Sequence, residues 1–273
     1  MLPRDLARIA SGVAVEAGWM TAHFVMYPLG FLAEPAARAA ARRHDLSGLS
    51  PEQRGLVHAG VDAAATPILF VHGIIDNHSI FTLMERALRR RGFSDLSWFD
   101  YGLLTRDVRA AAADFGAAVT KLAAESGYDR VHVVGHSLGG LIARYYVQRM
   151  GGHRHIRTLI TLGTPHGGTE LARMARVLPL VRQLRPDSEI ITELAQPAPD
   201  VGTRFVAFYS DLDQLIVPSH NARIEHPDLH ARNIAVRGIG HLSLPNNGEI
   251  AFRIAAVLAE LDPDPAAGRR AGP

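Results

Sequence analysis

The sequence predicts an α/β fold built on a mostly parallel sheet with helices on both faces. From about residue 66 onward, short apolar runs typical of buried strands alternate with longer runs of helical periodicity. This alternation is typical of strand–helix–strand units, whose strands are parallel and buried on both faces. The predicted strands are residues 68–71, 96–101, 131–134, 158–162, 204–209 and 233–236, and the predicted helices are residues 80–90, 108–124, 141–150 and 249–261.

Length and composition exclude several classes of protein. The 273 residues suit one large domain, and 47% apolar with 21% charged residues excludes a disordered or fibrous chain. A net charge of +2 without a basic cluster interleaved with aromatics does not indicate nucleic-acid binding. Because the chain has no cysteine, disulfides, a thiol nucleophile and cysteine-ligated metals are excluded. The oligomeric state is not readable from the sequence.

The two ends of the chain differ from its middle. Residues 17–33 carry no formal charge, but Glu16, Pro28 and Gly30 interrupt the apolar run, which is shorter than the about 20 residues of a clean membrane span. A cleavable signal peptide is not indicated, and the pattern favours a cytoplasmic or peripheral membrane location. Contact of residues 1–45 with a membrane or lipid surface is one hypothesis. A helix packed on the domain, and a spanning or uncleaved signal segment, are the alternatives.

We therefore divide the chain into three parts. Residues 1–65 form an N-terminal helical extension, residues 66–261 form the α/β domain, and residues 262–273 form a disordered tail rich in Pro, Gly and Ala.

A G-x-S-x-G pattern identifies the candidate nucleophile. GHSLG, residues 135–139, follows an apolar strand and precedes a helix. Glycines on both sides of Ser137 allow the strand and helix to approach closely, so that Ser137 can hold a strained backbone with its hydroxyl exposed. The backbone N–H of Leu138 then lies beside the reacting atom and can stabilise an oxyanion.

Here the sequence resembles the lipase/esterase branch of the α/β-hydrolase superfamily, and most of all small bacterial triacylglycerol lipases with a minimal lid. The matching motifs are FVHGI (70–74), GHSLGG (135–140), GTPHGG (163–168), SDLDQLIVP (210–218) and GIGHLSLP (238–245). The resemblance implies an α/β-hydrolase fold with a small cap, the chain order Ser, acid, His, and no cofactor.

The resemblance and the strand positions together assign the remaining site residues. His241 follows a late strand and glycines, which suits the general base. Asp211 and Asp213 both follow the preceding strand, and the resemblance favours Asp213 as the orienting acid. The resemblance also places the second oxyanion donor at the backbone of Ile74.

Two further segments carry weaker signals. Residues 169–203 fall where the family inserts its cap or lid, and an apolar stripe there could contact an acyl chain or could be core. His220, His226 and His230 do not have the spacing of a metal site, so no metal is predicted.

The predicted function is a serine hydrolase that cleaves carboxylic esters, in particular acylglycerol-like or other lipid esters, through an acyl-enzyme. A thioesterase, an amidase or an acyltransferase would use the same triad, because the triad recognises the carbonyl and not the leaving group. A catalytically inactive binding module is the alternative from another class.

Overall fold

The computed structural model describes residues 66–74, 76–102, 105, 107–174 and 179–259. Within these ranges six strands form one all-parallel sheet in the order β2-β1-β3-β4-β5-β6. The strands are β1 (Ile68–Val71), β2 (Leu96–Phe99), β3 (Val131–His136), β4 (Ile156–Leu162), β5 (Arg204–Ser210) and β6 (His230–Val236). The predicted sheet is confirmed.

The described helices pack on both faces of this sheet. They are α1 (Thr82–Arg89), α2 (Val108–Ser126), α3 (Leu138–Arg149), α4 (Pro179–Arg182), α5 (Glu189–Leu194) and α6 (Gly248–Leu258). Side-chain caps fix the starts of α2, α5 and α6. The Asp107 carboxylate accepts from the backbone N–H of Arg109 before α2, and Asn247 accepts from Glu249 and Ile250 before α6.

Element boundaries differ from the sequence prediction where tertiary packing outweighs local preference. The predicted strand over residues 96–101 ends at Phe99, because Asp100 and Tyr101 turn away to contact the end of β1. The predicted helix over residues 141–150 begins three residues earlier, at Leu138. Glycines 139 and 140 lower helix propensity, but here they provide the space that close packing requires.

The two faces of the sheet bury separate cores. Leu69 and Val71 of β1 point into one cluster together with α2, α3 and α5, whereas Ile68 and Phe70 point into another together with α1 and α6. This alternation along one strand is the two-residue period of β-structure. Because both faces are covered, a central strand such as β1 reads as a continuous apolar run in the sequence.

The strand order creates a crevice at the carboxyl ends of β1 and β3. The chain leaves β1 toward β2 on one side and then crosses to β3 on the other side. Ligands in open α/β sheets bind where the strand order reverses in this way. The residues that follow β1 and β3 are therefore placed at the position where a functional site is expected.

The predicted cap region is joined to the body of the domain by polar contacts. In residues 169–203 the structure places a 3-10 helix (Glu170–Arg173), α4 and α5. Glu193 of α5 accepts hydrogen bonds from Arg109 of α2 and Tyr145 of α3. In the apolar stripe, Leu180 and Leu184 are buried in the core cluster and Val181 packs against it. These contacts favour core packing for that part of the stripe.

Several predictions concern residues outside the described ranges, namely the N-terminal extension 1–65 and the tail 262–273. In the described part of the chain, no helix is both long enough and apolar enough to cross a membrane.

Candidate active site

Ser137 occupies a sharp turn between β3 and α3. Its backbone angles are φ 52° and ψ −123°, and among the described residues it is the only non-glycine with positive φ. Such a conformation costs on the order of 1–3 kcal/mol and persists only where the surroundings enforce it. This strain at a strand-to-helix turn is the geometry of a nucleophile elbow.

The glycines on either side of Ser137 are required by close backbone contacts. A Cβ on Gly135 would lie 2.5 Å from the Cα of Gly140, and a Cβ on Gly139 would lie 2.3 Å from the carbonyl oxygens of Val71 and His72. Gly135 thus lets α3 fold back onto β3, and Gly139 lets the elbow touch the end of β1. Any larger residue at either position would displace Ser137.

His241 and Asp213 form a buried pair beyond the ends of β5 and β6. The Nδ1–H of His241 donates to Oδ2 of Asp213 over 2.8 Å. The other carboxylate oxygen accepts from the backbone N–H groups of Leu215 and Ile216 at 2.9 and 3.0 Å. Burial raises the pKa of Asp213, but the charge and hydrogen bond of His241 and these two amides outweigh it, so the pKa is lowered overall. The carboxylate is therefore ionised and holds the imidazole.

Backbone contacts bring the serine turn and this pair together. The N–H of Ser137 donates to the carbonyl of Leu162 over 2.9 Å. The next residue, Gly163, has φ 55°, and a Cβ there would lie 2.9 Å from Asp213 Oδ2 and 3.0 Å from His241 Nδ1. The end of β4 thus contacts the backbone of Ser137 at Leu162 and lies beside the His241–Asp213 pair at Gly163.

The side chain of Ser137 is largely covered by its surroundings. Only 8% of the surface of this residue is exposed. The loop after β1 covers it, since a Cβ on Gly73 would lie 3.1 Å from the Cβ of Ser137. The loop after β1 therefore narrows the crevice at Ser137 and shields that side chain from most of the solvent.

The two predicted oxyanion donors lie on the segments that form this crevice. Leu138 is the first residue of α3 and is fully buried. Ile74 lies in the turn after β1, directly beyond the Gly73 that contacts Ser137. The N-terminus of a helix and a strand end thus meet at the candidate nucleophile, as two converging backbone donors require.

A histidine–aspartate cluster that the sequence did not reveal fixes the loop after β1. Asp100 accepts from the backbone N–H and Nδ1 of His78, both at 3.1 Å, and lies 3.4 Å from Nε2 of His72. His72 stacks on Tyr101 with a ring distance of 4.4 Å. Burial lowers the pKa of His72, which favours its neutral form at neutral pH. Through Asp100 the cluster fixes both ends, His72 and His78, of the loop that carries Ile74.

Arg144 has a comparable role for the GTPHGG segment. This fully buried guanidinium donates to the carbonyl of His166 in that segment, to the carbonyl of Leu194 and to the Gln148 side chain, at 3.2, 3.2 and 2.6 Å. Burial lowers its pKa to about 9, so it is still charged at neutral pH. The His166 imidazole is also buried, with Nε2 2.9 Å from the Thr161 hydroxyl. These contacts favour a loop-shaping role for GTPHGG.

Replacing Arg144 with lysine should strongly destabilise the fold. A lysine keeps the positive charge but lacks the planar guanidinium group, whose several N–H donors reach different acceptors. The loss of two charge-assisted hydrogen bonds should lower the free energy of unfolding by about 3 kcal/mol or more. Urea denaturation measures this loss. Arg149→Lys on the same helix is the matched control, because its bonds to Gln196 and Pro197 are exposed and its loss should be about 1 kcal/mol or less. Equal losses in the two variants would contradict the assigned role.

The signals for these missed residues were present but ambiguous in the sequence. Asp100 stood in a predicted strand, and Arg144 stood on a helix whose arginines would normally be exposed. Among the described residues, no three or more His, Cys, Asp or Glu side chains group as metal ligands.

A comparison with known protein families identifies the family of this chain. The family model described as palmitoyl protein thioesterase matches residues 67–220, which is more than half of the chain. The chain belongs to this family. The matched residues include β1, the serine turn and Asp213, whereas His241 lies beyond them.

Solved structures show the same fold as this palmitoyl protein thioesterase family member. They include the mature Bacillus licheniformis lipase BlEst2 (TM-score 0.58, 20% identity, covering 72% of this chain and 92% of that one). Aspergillus fumigatus lipase B has a TM-score of 0.61 at 16% identity, covering 72% and 52%. A Paleococcus ferrophilus monoacylglycerol lipase has a TM-score of 0.54 at 16% sequence identity, and the match covers 72% of this chain and 96% of that one. The chain thus has the α/β-hydrolase fold.

Proposed function

We propose that the protein is a serine hydrolase that cleaves acyl esters of lipid-like substrates through Ser137, His241 and Asp213. The observation that carries this proposal is the buried 2.8 Å His241–Asp213 pair beside a strained serine at the switch point of the sheet. Enzymes place such strain and such pairs where a nucleophile must be held against a base.

The mechanism follows from the roles these side chains can take. The Ser137 oxygen attacks the acyl carbon while the Nε2 of His241 takes its proton. The backbone N–H groups of Ile74 and Leu138 stabilise the oxyanion that forms. His241 then protonates the leaving group, and water repeats the sequence on the acyl-enzyme, with Asp213 holding the ring in one tautomer throughout.

An exposed apolar rim beside the site supports a lipid-like substrate. Leu171, Met174, Leu215 and Val217 are large apolar side chains that remain exposed. Their two segments lie side by side, because Glu170 donates from its backbone to the carbonyl of Val217 over 2.8 Å. Leu215 also bonds directly to the Asp213 carboxylate through its backbone N–H. An acyl chain that leaves the crevice on this side would meet apolar surface.

Thioester hydrolysis is the second candidate, and the family match favours it over amide hydrolysis or acyl transfer. The chemistry differs at one step. A thiolate leaves with little help, whereas an alkoxide must be protonated by His241 as it departs. The same crevice can perform both reactions, so the leaving group must be tested directly.

The test compares two substrates with the same acyl chain. Fatty-acid release is measured from a palmitoyl monoacylglycerol and from a peptide with a palmitoyl thioester, with p-nitrophenyl esters of increasing chain length as a third series. We expect release from at least one palmitoyl substrate, and the ratio of kcat/KM assigns the leaving group. Absence of release from both, together with no labelling by a fluorophosphonate probe, would overturn the proposal in favour of an inactive binding module.

Contact with a lipid surface through residues 1–45 is part of the same proposal. Its support is the uncharged apolar run 17–33 followed by Arg38, Arg42 and Arg43, which suit anionic head groups.

A further inference from the structure

His136, the residue before the proposed nucleophile, connects the serine turn to the loop that carries His241. Its side chain is 1% exposed. Its Nε2 lies 3.2 Å from the backbone carbonyl oxygen of His241, and the two imidazole rings are 4.8 Å apart. On the other side of the ring, Nδ1 lies 3.7 Å from Oδ2 of Asp76, which follows β1. One side chain therefore faces three segments of the site.

The partners of the ring determine its tautomer. A backbone carbonyl can only accept, so the bond to His241 requires a proton on Nε2. Burial lowers the pKa of His136, the Asp76 contact raises it and the charge of His241 lowers it, with a net lowering. The lowered pKa favours a neutral ring, and because Nδ1 makes no hydrogen bond across the 3.7 Å to Asp76, its one proton lies on Nε2 and is donated to His241. Neutrality suits the proposed mechanism, because a cation 4.8 Å away would oppose the charge that His241 gains.

The loop that carries His241 is bonded to Asp211 through Gly238 and to Ser210 through Ile239, and His136 adds a side-chain contact at His241 itself. The loop leaves β6 through Gly238, which has φ 70°, and a second glycine, Gly240, directly precedes His241. Glycines leave a backbone many accessible conformations. The Asp213 bond restrains only the ring of His241, and rotation of the backbone would carry the ring away from Ser137. The His136 bond restrains the backbone at the residue itself, where the same carbonyl also accepts from the backbone N–H of Leu244 over 3.4 Å.

We propose that His136 is a positioning residue that fixes the backbone of His241 through its carbonyl, so that the His241 ring faces Ser137. This inference rests on the proposed function, since it assigns a task to the segment that carries the general base. A purely structural His136 would fill the same volume but would not depend on which of its nitrogens donates.

Two amide substitutions separate these roles. The amide nitrogen of a glutamine occupies roughly the position of Nε2, whereas that of an asparagine occupies roughly the position of Nδ1. His136→Gln therefore keeps a donor toward His241, whereas His136→Asn removes that donor and places an amide N–H toward Asp76 instead. We expect His136→Gln to lower kcat less than tenfold and His136→Asn to lower it about 100-fold, the loss typical of a misplaced catalytic group. KM for a short soluble ester should change little in either variant.

A proton NMR signature accompanies the kinetics. The Nδ1 proton of His241, bonded to Asp213, should give a far-downfield resonance in the parent enzyme and in His136→Gln, and should be lost or broadened in His136→Asn. Equal kcat in the two variants, at equal melting temperature and with the same resonance, would overturn the inference.

A measurement on the unaltered protein keeps the inference testable if a variant does not fold. Nitrogen-15 shifts of labelled histidine, assigned through the backbone, report the tautomer of His136. The neutral Nε2–H form supports the inference, and the Nδ1–H form or an imidazolium overturns it. His241→Ala distinguishes the two levels of proposal. If that variant remains active, the proposed function fails. If it is inactive while His136→Gln and His136→Asn match each other, only this inference fails.

Discussion

Replacing Ser137 with alanine is expected to lower kcat by a factor on the order of 10⁵–10⁶ while leaving the fold intact. Alanine keeps the Cβ, so the backbone strain at φ 52° is the same in both proteins. The change removes only the oxygen that would attack the acyl carbon. The measurement is kcat on a soluble p-nitrophenyl ester, together with the melting temperature.

A matched control is Ser126→Ala at the end of α2, where the hydroxyl donates to the Ala123 carbonyl and accepts from the backbone N–H of Tyr128. That variant should hydrolyse the ester as the parent does. A folded Ser137→Ala protein that keeps more than about a tenth of the parental rate would rule out Ser137 as the nucleophile.

Replacing Asp213 with asparagine should lower kcat by about 10⁴. The reason lies in the second carboxylate oxygen, which accepts from the backbone N–H groups of Leu215 and Ile216. In asparagine the carbonyl oxygen must take that position, because an amide NH₂ cannot accept. The NH₂ group then points at Nδ1 of His241 and donates to it, which forces the proton onto Nε2. An imidazole in that tautomer cannot take the proton of Ser137.

Asp211→Asn is the control two residues away. The Asp211 carboxylate accepts from the backbone N–H of Gly238 over 2.7 Å, and an asparagine oxygen can accept the same bond. We expect kcat to fall less than about tenfold. If Asp211→Asn were the more damaging change, the acid of the triad would have to be reassigned.

The elements that the sequence predicted well are those with a local signature. The apolar run of β1 and the strand–glycine–serine–helix pattern around Ser137 each carry their signal within a few residues. The choice of Asp213 over Asp211 needed a family resemblance, since both follow β5 and only the tertiary fold decides which carboxylate reaches His241.

The positioning contacts could not be predicted for a physical reason. His136 and His241 are separated by 105 residues, and neither β3 nor β6 carries a local sign that their loops will touch. Arg144 donates to a carbonyl 50 residues away, at Leu194. Such hydrogen bonds depend on the complete packing of the sheet and its helices. Local periodicity reports which face of an element is buried, but not which polar groups meet there.

The position of β6 in the strand order affects when, during synthesis, the protein becomes able to catalyse the proposed hydrolysis. β6 pairs with β5 at one end of the described sheet, and His241 follows it. A chain emerging from the ribosome at about 5–20 residues per second presents Ser137 and Asp213 before β6 can dock. On the proposed mechanism, an incomplete chain carries a nucleophile without its base and hydrolyses nothing. Hydrolysis is therefore catalysed only by molecules in which β6 has joined the sheet. The rate of hydrolysis is thus a direct assay for completed folding.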